Sequence, residues 1–316
     1  MTLLVYTKYA GDMPRFRTLL ARQLPGESIG FATSPEEAAP FLPTASVLYG
    51  WGFPAGMVES MPKLRWIQKM GAGVEDLAGS RWPFGDSVML SRTDGRLIAP
   101  RMVEYVTWAV LSHTLQADVL RGLRVARDWV YVETGSIRQH TVGVAGLGEI
   151  GTEIAAAMRA LGADVIGWRR TAAPCDAVRH VYAGPAQFDE FLSACSVLVL
   201  VLPATSETAG LINTGVLAKL KHGAHLVNVG RGSVLDETAV LAALKSGQLS
   251  HATLDVFAAE PLPAGHAFWD HPKMTMTPHI SGPLIPEDVV PHFVQNFYAF
   301  RAGRPLRNAV TPGRKY

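Results

Sequence analysis

Apolar and polar residues alternate along this chain in two kinds of segment. Short runs rich in aliphatic and β-branched residues predict strands, and longer segments with apolar residues three and four positions apart predict helices. In the first third, strands are expected at Leu3–Tyr6, Ser46–Tyr49, Arg65–Gln68 and Ser87–Leu90, with helices at Met13–Leu24, Pro35–Leu42 and Ala55–Met61 between them. Strands that alternate with helices are typical of a parallel sheet with crossover helices.

A second series of strands follows one long apolar helical stretch, Arg101–Arg127. These strands are expected at Thr141–Ala145, Asp164–Trp168, Val197–Leu202, Ala224–Val229 and Ala252–Val256. Near the end, an apolar stripe predicts a helix that returns to the first domain, through Val289, Val290, Phe293, Val294, Phe297 and Phe300. We therefore predict an α/β chain of two parallel-sheet domains with a cleft between them, the second domain being inserted into the first.

Composition and charge exclude several classes of protein. The 316 residues carry a net charge of only +2, without a basic cluster, which argues against a nucleic-acid scaffold. The two cysteines, Cys175 and Cys195, fit no metal or redox motif, and no histidine spacing predicts a metal site. The first residues become polar too early for a signal peptide, and no apolar run is long enough for a membrane span. A cytoplasmic protein is expected.

The strongest motif is the glycine-rich segment that follows the strand Thr141–Ala145. It reads Gly146-Leu-Gly148-Glu-Ile-Gly151 and leads into a helix, as in turns that bind a dinucleotide. The first glycine permits the tight turn, the second lets the backbone approach the pyrophosphate, and the third lets helix and strand pack closely. N–H groups at the start of the helix stabilise the phosphates.

Cofactor choice is expected to depend on the end of the next strand. NAD enzymes usually place a carboxylate there to bind the ribose hydroxyls, but this chain has Arg169 and Arg170. Two guanidinium groups suit the additional phosphate of NADP. The sequence therefore predicts NADP(H) as the preferred cofactor, with NAD(H) possible.

Three polar side chains come where later strands are expected to end. Arg231 lies between two glycines, Glu260 precedes a proline, and His279 follows Thr277-Pro. In the reduction of a 2-oxo acid, a histidine can protonate the carbonyl oxygen while a carboxylate orients its ring and favours its charged form. An arginine can bind the substrate carboxylate. These three residues are the predicted catalytic set.

With these motifs in place, the chain resembles the D-isomer-specific 2-hydroxyacid dehydrogenase family over essentially its whole length. The matched segments are the glycine turn, Leu202–Asn213, the Arg231 segment, Asp255–Pro261 and Thr277–His279. Within the family it is most similar to the A-type glyoxylate/hydroxypyruvate reductases, through Met102–Val106, Gly167–Thr171 and the loop that contains Trp51. It departs from them in the pair Arg169-Arg170, in the proline-bearing segment Ser281-Gly282-Pro283 and in the additional glycine around Trp51.

The resemblance implies a role for each matched residue. Arg231 binds the substrate, Glu260 partners His279, and His279 is the acid/base. The segment Leu64–Asp76 resembles the substrate loop of the family, in which N–H groups of Ala72, Gly73 and Val74 receive the carboxylate. The implied cofactor contacts are Gly146, Gly148, Glu149, Ile150, Gly151, Arg169, Arg170, Leu202, Pro203, Thr208, Val229, Gly230, Asp255, His279 and Ser281.

These expectations define two Rossmann- or flavodoxin-like domains, a substrate domain of 1–98 with 287–316 and a dinucleotide domain of 99–286. The predicted activity is NADPH-dependent reduction of glyoxylate, hydroxypyruvate or another small 2-oxo acid to the D-2-hydroxy acid. Alternatives are a dehydrogenase for a bulkier D-2-hydroxy acid and a non-catalytic dinucleotide sensor. Trp51 is either a core aromatic or a wall of the substrate pocket. The apolar helix Val103–Leu120 is either the face of a homodimer or buried between the domains.

Overall fold

The chain forms two compact α/β units. The computed structural model describes residues 1–54, 56–74, 77 and 87–310. Unit 1 consists of Met1–Leu97 with Leu284–Tyr316, and unit 2 consists of Ile98–Pro283. Both contain a largely parallel sheet with helices, so the predicted fold class is confirmed. No helix in the described part of the chain has the length and apolarity to cross a bilayer.

Unit 1 is built on a six-stranded sheet. Labels follow the order of the whole chain, and its elements are β1 (Thr2–Thr7), α1 (Met13–Gln23), β2 (Ser28–Ala32), α2 (Pro35–Ala38), β3 (Ala45–Trp51), β4 (Trp66–Lys69), β5 (Met89–Arg92), α9 (Pro286–Arg301) and β13 (Ala309–Val310). The strands lie in the order β13-β5-β4-β3-β1-β2, and all are parallel except β13. The five parallel strands thus have the flavodoxin order. From β1, strand β2 is added on one side and β3, β4 and β5 on the other, so the order of the strands reverses between β1 and β3.

Both faces of this sheet are covered by apolar side chains. Leu3 and Val5 of β1 point to the face that α1 and α9 cover, and the alternating residues Leu4 and Tyr6 point to the other. The predicted stripe of α9 faces the first of these two cores. There Phe293 stacks on Tyr49 with 4.0 Å between the ring centroids. Coverage of both faces explains why the parallel strands are continuously apolar.

Unit 2 is built on a seven-stranded, fully parallel sheet. Its elements are α3 (Ala99–Thr114), α4 (Ala117–Ala126), β6 (Thr141–Ala145), α5 (Glu149–Ala160), β7 (Asp164–Arg169), β8 (His180–Ala183), α6 (Phe188–Ala194), β9 (Val197–Leu200), α7 (Thr214–Leu217), β10 (Ala224–Asn228), α8 (Glu237–Ser246), β11 (Leu249–Leu254) and β12 (Met274–Met276). The order β12-β11-β10-β9-β6-β7-β8 contains the Rossmann arrangement, which reverses between β6 and β9. Ligands bind at this reversal in open α/β sheets.

Two of the predicted helices in unit 1 are wrong, one in its extent and the other in its existence. The helix expected at Pro35–Leu42 ends at Ala38, because Pro40 has no N–H to donate and its ring opposes a continued helix. Ala55 lies outside the described residues, and 56–60 form turns instead of a helix. Gly56, with φ of 76°, has a backbone conformation that is incompatible with a right-handed helix.

The long helix predicted at Arg101–Arg127 is two helices, α3 and α4. Gln116 between them has φ of 55° and ψ of 42°, a left-handed conformation that ends the first helix. The buried face of α3 packs on α5 and β10 within unit 2. Helix α4 has no buried residue, and its apolar residues Val119 and Leu120 are exposed.

Candidate active site

The glycine turn lies at the carboxyl end of β6, where the order of the unit 2 sheet reverses. Gly146 has φ of 107°, and a Cβ there would lie 2.7 Å from the carbonyl oxygen of Val201. A Cβ on Gly151 would lie 1.9 Å from the carbonyl oxygen of Gly146, so helix α5 can approach β6 only with a glycine at this position. Gly148 is different, because a Cβ there would meet nothing within 4 Å. The turn is therefore tightly packed at Gly146 and Gly151, whereas the backbone at Gly148 has open space beside it.

This open backbone at the first turn of α5 fits a pyrophosphate. Glu149 and Ile150 are the first residues of the helix, and Gly148 is its N-cap in an extended conformation. The free N–H groups of a helix start, together with the helix dipole, favour a bound anion. In the described chain, no group of three or more His, Cys, Asp or Glu residues is arranged to hold a metal ion.

The two arginines predicted to select the cofactor lie at the end of β7. Arg169 is the last residue of the strand and Arg170 follows it. Arg170 Nη1 lies 3.5 Å from Glu207 Oε2, and both side chains are about two-thirds exposed. An exposed pair of this kind contributes at most about 1 kcal/mol, so a bound phosphate can compete for the guanidinium group.

The loop after β9 approaches the glycine turn from the other side of the reversal. Leu202 is buried, and its backbone oxygen would lie 2.6 Å from a Cβ on Gly230, which packs the two loops closely. The hydroxyl of Thr208 donates to the carbonyl of Pro203 at 2.6 Å and accepts from the N–H of Thr205 at 2.9 Å. Thr208 therefore fixes the shape of this loop, whose exposed side carries Glu207.

The acid/base pair predicted from the sequence is formed in unit 2. His279 Nδ1 and Glu260 Oε2 are 2.8 Å apart, and each side chain is about one-third exposed. The other oxygen of Glu260 accepts from the N–H of Phe257 at 3.0 Å. Partial burial raises the pKa of Glu260, but the hydrogen bonds from His279 and Phe257 and the charges of His279 and Arg231 outweigh it and lower the pKa. Glu260 is thus an ionised partner that orients the imidazole.

Asp255 holds the segment that carries His279. It is fully buried and accepts from Thr277 Oγ1 at 2.6 Å and from the N–H groups of Ile280 and Ser281, both at 2.8 Å. His279 itself has φ of 57°, a left-handed conformation that is unfavourable outside glycine. Its N–H donates to the carbonyl of Asp255 at 2.9 Å. These bonds stabilise the strained backbone at the histidine.

Tyr105 and Thr277 extend this network, and their contact was not predicted from the sequence. The Tyr105 hydroxyl lies 2.5 Å from Thr277 Oγ1, although the residues are 172 positions apart. Burial raises the pKa of Tyr105, and so it remains a neutral hydroxyl. Its only sequence signal is its place in the Met102–Val106 segment, which matches the reductases.

Arg231 follows β10 and is fixed by its neighbours. Asn228 accepts from the N–H of Gly230 and donates to the carbonyl of Arg231, both at 3.0 Å. Gly232 lies against the backbone of Phe257, where a Cβ would be 1.9 Å from the carbonyl carbon. Val229 is buried at the strand end. The charge of Arg231 contributes to the lowered pKa of Glu260.

The predicted substrate loop lies in unit 1, at the carboxyl end of β4. The carbonyl of Gly71 accepts from the N–H of Thr93 at 3.2 Å, and the carbonyl of Ala72 accepts from Arg92 Nη1 at 3.1 Å. Val74 is fully buried, whereas Gly73 is half-buried. Arg92 was not predicted, and its only signal is its position at the end of a strand. Glu75 and Asp76 of the motif lie outside the described residues.

Trp51 ends β3 and borders this loop. A Cβ on Gly71 would lie 3.7 Å from Cδ1 of its ring, and its other neighbours include Tyr9, with ring centroids 5.1 Å apart. The side chain is half-buried and packs against the edge of the core. Trp51 thus contacts the core and the predicted loop together, and its role toward a substrate stays a prediction.

Comparison with known proteins decides the family. The model for "D-isomer specific 2-hydroxyacid dehydrogenase, NAD binding domain" matches residues 108–281. Glyoxylate/hydroxypyruvate reductase A of Serratia proteamaculans is 34% identical over 264 residues, which cover 82% of this chain and 84% of the relative. The chain belongs to the D-isomer-specific 2-hydroxyacid dehydrogenase family.

Solved structures of family members agree over the full length. An NADPH-dependent glyoxylate/hydroxypyruvate reductase of Sinorhizobium meliloti, in complex with NADP and sulfate, has a TM-score of 0.90 at 29% identity and covers 100% of this chain and 99% of its own. A D-isomer specific 2-hydroxyacid dehydrogenase of Xanthobacter autotrophicus Py2, in complex with NADPH and MES, has a TM-score of 0.86 at 32% identity, with 99% of each chain covered. The resemblance drawn from the motifs is confirmed, and the protein is an NAD(P)-dependent oxidoreductase.

Within this dehydrogenase, the predicted site residues fall into two sets. Unit 2 brings together the glycine turn, the loop of Leu202 and the residues Arg231, Glu260 and His279 at the carboxyl ends of its strands. The predicted substrate loop and Trp51 lie at the carboxyl ends of strands in unit 1. The roles of these residues toward ligands stay predictions.

Proposed function

We propose that this dehydrogenase is an NADPH-dependent reductase that converts glyoxylate, hydroxypyruvate or another small 2-oxo acid to the D-2-hydroxy acid. The observation that carries the proposal is the 2.8 Å contact of His279 with Glu260, in the unit that also holds the glycine turn. The overall reaction consumes one NADPH and one proton for each carbonyl reduced. The names of the relatives from Serratia proteamaculans and Sinorhizobium meliloti support this substrate class.

Each polar residue of the unit 2 site has its own role in the proposed reaction. When bound, the nicotinamide supplies the hydride that adds to the carbonyl carbon. His279 holds the proton that goes to the carbonyl oxygen, with Glu260 on Nδ1 fixing the ring so that Nε2 is the donor. Arg231 binds the substrate carboxylate and stabilises charge on the oxygen. Asp255 keeps His279 in position through the backbone of Ile280 and Ser281.

The preference for NADPH over NADH is proposed from the end of β7. Arg169 and Arg170 stand where a ribose-binding carboxylate would favour NADH. The bound NADPH and NADP of the Xanthobacter and Sinorhizobium structures support the same preference. NADH remains a possible weaker cofactor, because the glycine turn serves both.

The replacement His279→Ala tests the assignment. Turnover of glyoxylate with NADPH is expected to fall by at least 10²-fold because the proton donor is lost, while NADPH binding, measured by fluorescence, persists. Near-normal turnover would contradict the acid/base role. A wild-type protein that binds NADPH but oxidises none with any 2-oxo acid would instead be a dinucleotide sensor. Preference for larger acids would indicate the bulkier-substrate dehydrogenase.

We also propose that the protein is a homodimer that works in the cytoplasm. Support for the dimer comes from the apolar surface of α4 and the segment that follows it. Val125, Trp129 and Tyr131 are 76%, 102% and 89% exposed, and surfaces of this kind usually mark an interface. Light scattering is expected to give twice the 34.1 kDa chain mass. A monomer at micromolar concentration would contradict the dimer.

A further inference from the structure

Unit 1 carries a cationic and aromatic cluster at the carboxyl ends of β1 and β3. It consists of Lys8, Tyr9 and Trp51. The Tyr9 and Trp51 rings are stacked, with an interplanar angle of 17°. Lys8 Nζ lies 5.0 Å from the centroid of the Trp51 ring and 5.6 Å from that of Tyr9. Both distances are within the range of a cation–π interaction, which favours this position of the ammonium group.

Gly52 shapes this cluster. Its φ is 71°, and a Cβ at this position would lie 3.2 Å from Cδ of Lys8. The aliphatic part of the lysine therefore lies against the glycine backbone. The absence of a side chain at Gly52 thus leaves room for the lysine side chain to pass along the backbone and reach the Trp51 ring.

The cluster also lies where a parallel sheet of this order binds ligands. The strand order of unit 1 reverses between β1 and β3, and ligands of open α/β sheets bind at the carboxyl ends of such a pair. The Trp51 ring contacts the cluster and also borders Gly71, at the start of the predicted carboxylate-binding loop. A substrate with its carboxylate on that loop therefore has Trp51 beside it, and the Lys8 ammonium lies 5.0 Å from the centroid of the same ring.

We infer that Lys8, Tyr9 and Trp51 form a subsite for a second, anionic group at the far end of the substrate. This inference rests on the proposed function and refines it: 2-oxo dicarboxylic acids are better substrates than 2-oxo acids of the same shape with an apolar end. Lys8 is exposed, so its attraction for a carboxylate is moderate. Its contribution to selectivity is about fivefold, as expected of an exposed ion pair.

Steady-state kinetics with an isosteric pair of substrates tests the inference. Oxaloacetate ends in a carboxylate, and 4-methyl-2-oxopentanoate has an isopropyl group of similar size at the same position. With NADPH, wild-type protein is expected to have the higher kcat/KM for oxaloacetate. In Lys8→Met the ratio of the two kcat/KM values falls about fivefold, mainly through the KM of oxaloacetate, and in Lys8→Arg it is largely retained.

Lys63→Met is the matched control. Lys63 is also an exposed lysine of unit 1, but it precedes β4 and so lies at the amino ends of the strands. Its replacement removes the same charge and is expected to leave the ratio within twofold of wild type. Added salt should weaken the preference of the wild type and not that of Lys8→Met.

Two outcomes overturn the inference. One is an unchanged ratio in Lys8→Met, and the other is a wild type that reduces glyoxylate but prefers the isopropyl substrate or reduces neither member of the pair. Failure of the proposed function is a separate result, because wild-type protein would then oxidise no NADPH with glyoxylate or with any other 2-oxo acid.

Discussion

Replacing His113 by phenylalanine should remove part of the acid sensitivity of unit 2, while His225, His251 and His140, whose pKa values are also lowered by burial, keep the rest. His113 of α3 lies among the imidazoles of His225 and His251, with ring centroids 4.5 and 5.2 Å away. Its Nε2 contacts Ser250 Oγ at 3.0 Å. Burial, followed by the charges of His251 and His140, lowers the pKa of His113 to about 4, with Asp118 opposing the shift.

The sign of the effect follows from that lowered pKa. As pH falls below about 6.5, the unfolded chain takes up a proton at this histidine before the folded chain does. Stability is therefore complete above about pH 6.5 and is lost as pH falls toward 4. The full difference corresponds to ~3 kcal/mol. Because His113 is only partly buried, solvent reduces its share to about 1–2 kcal/mol.

Thermal unfolding at about pH 7.5 and pH 5 measures the effect. The phenylalanine ring keeps the ring contacts with His225 and His251, so His113→Phe removes mainly the titration and the contact with Ser250. Between these pH values, the Tm of wild type is expected to fall by about 2–6 °C more than that of the variant. The exposed His180, whose ring contacts Tyr182 at 4.5 Å, provides the control His180→Phe. Parallel falls in Tm for wild type and His113→Phe would refute the reasoning.

Four further variants test the cofactor and acid/base sites. Replacing Arg169 and Arg170 together by alanine should raise the KM for NADPH at least tenfold more than that for NADH; equal effects in kinetics would contradict phosphate recognition. Gly151→Ala should lower the free energy of unfolding by about 1–3 kcal/mol, whereas Gly148→Ala should weaken NADPH binding with a smaller loss of stability. Denaturant titration beside fluorescence binding separates the two. Glu260→Gln should lower kcat for glyoxylate 10- to 100-fold with NADPH affinity within threefold; unchanged kcat would remove Glu260 from the mechanism.

The parallel strands at the centre of each sheet could be predicted from the sequence because they are buried on both faces and form apolar runs. Thr141–Ala145 was predicted at the observed bounds, and Val197–Leu200 within two residues. The missed strands β2, β8, β12 and β13 are the edge strands of the two sheets, where short strands and polar residues interrupt the pattern. Helix α8 was also missed, although Asp236 caps its start and Gly247 ends it.

In the candidate site, too, some features could be predicted from the sequence and others could not. Arg231, Glu260 and His279 were found from their types and from the motifs around them. The contacts that position the loops were not, because Tyr105 with Thr277 and Arg92 with Ala72 join residues that are far apart in the chain. No local pattern encodes such a pair, and only the folded sheet brings its members together.

Asp255 shows how the structure changes the interpretation of a predicted residue. The resemblance implies that Asp255 contacts the cofactor, but its two carboxylate oxygens already accept from Thr277, Ile280 and Ser281. A buried carboxylate with three donors is costly to disturb, since losing it leaves those donors unsatisfied. The same bonds stabilise the left-handed backbone of His279, whose φ is 57°. We therefore expect Asp255 to affect the reaction through the position of His279, because its carboxylate is already engaged by the segment that carries this histidine.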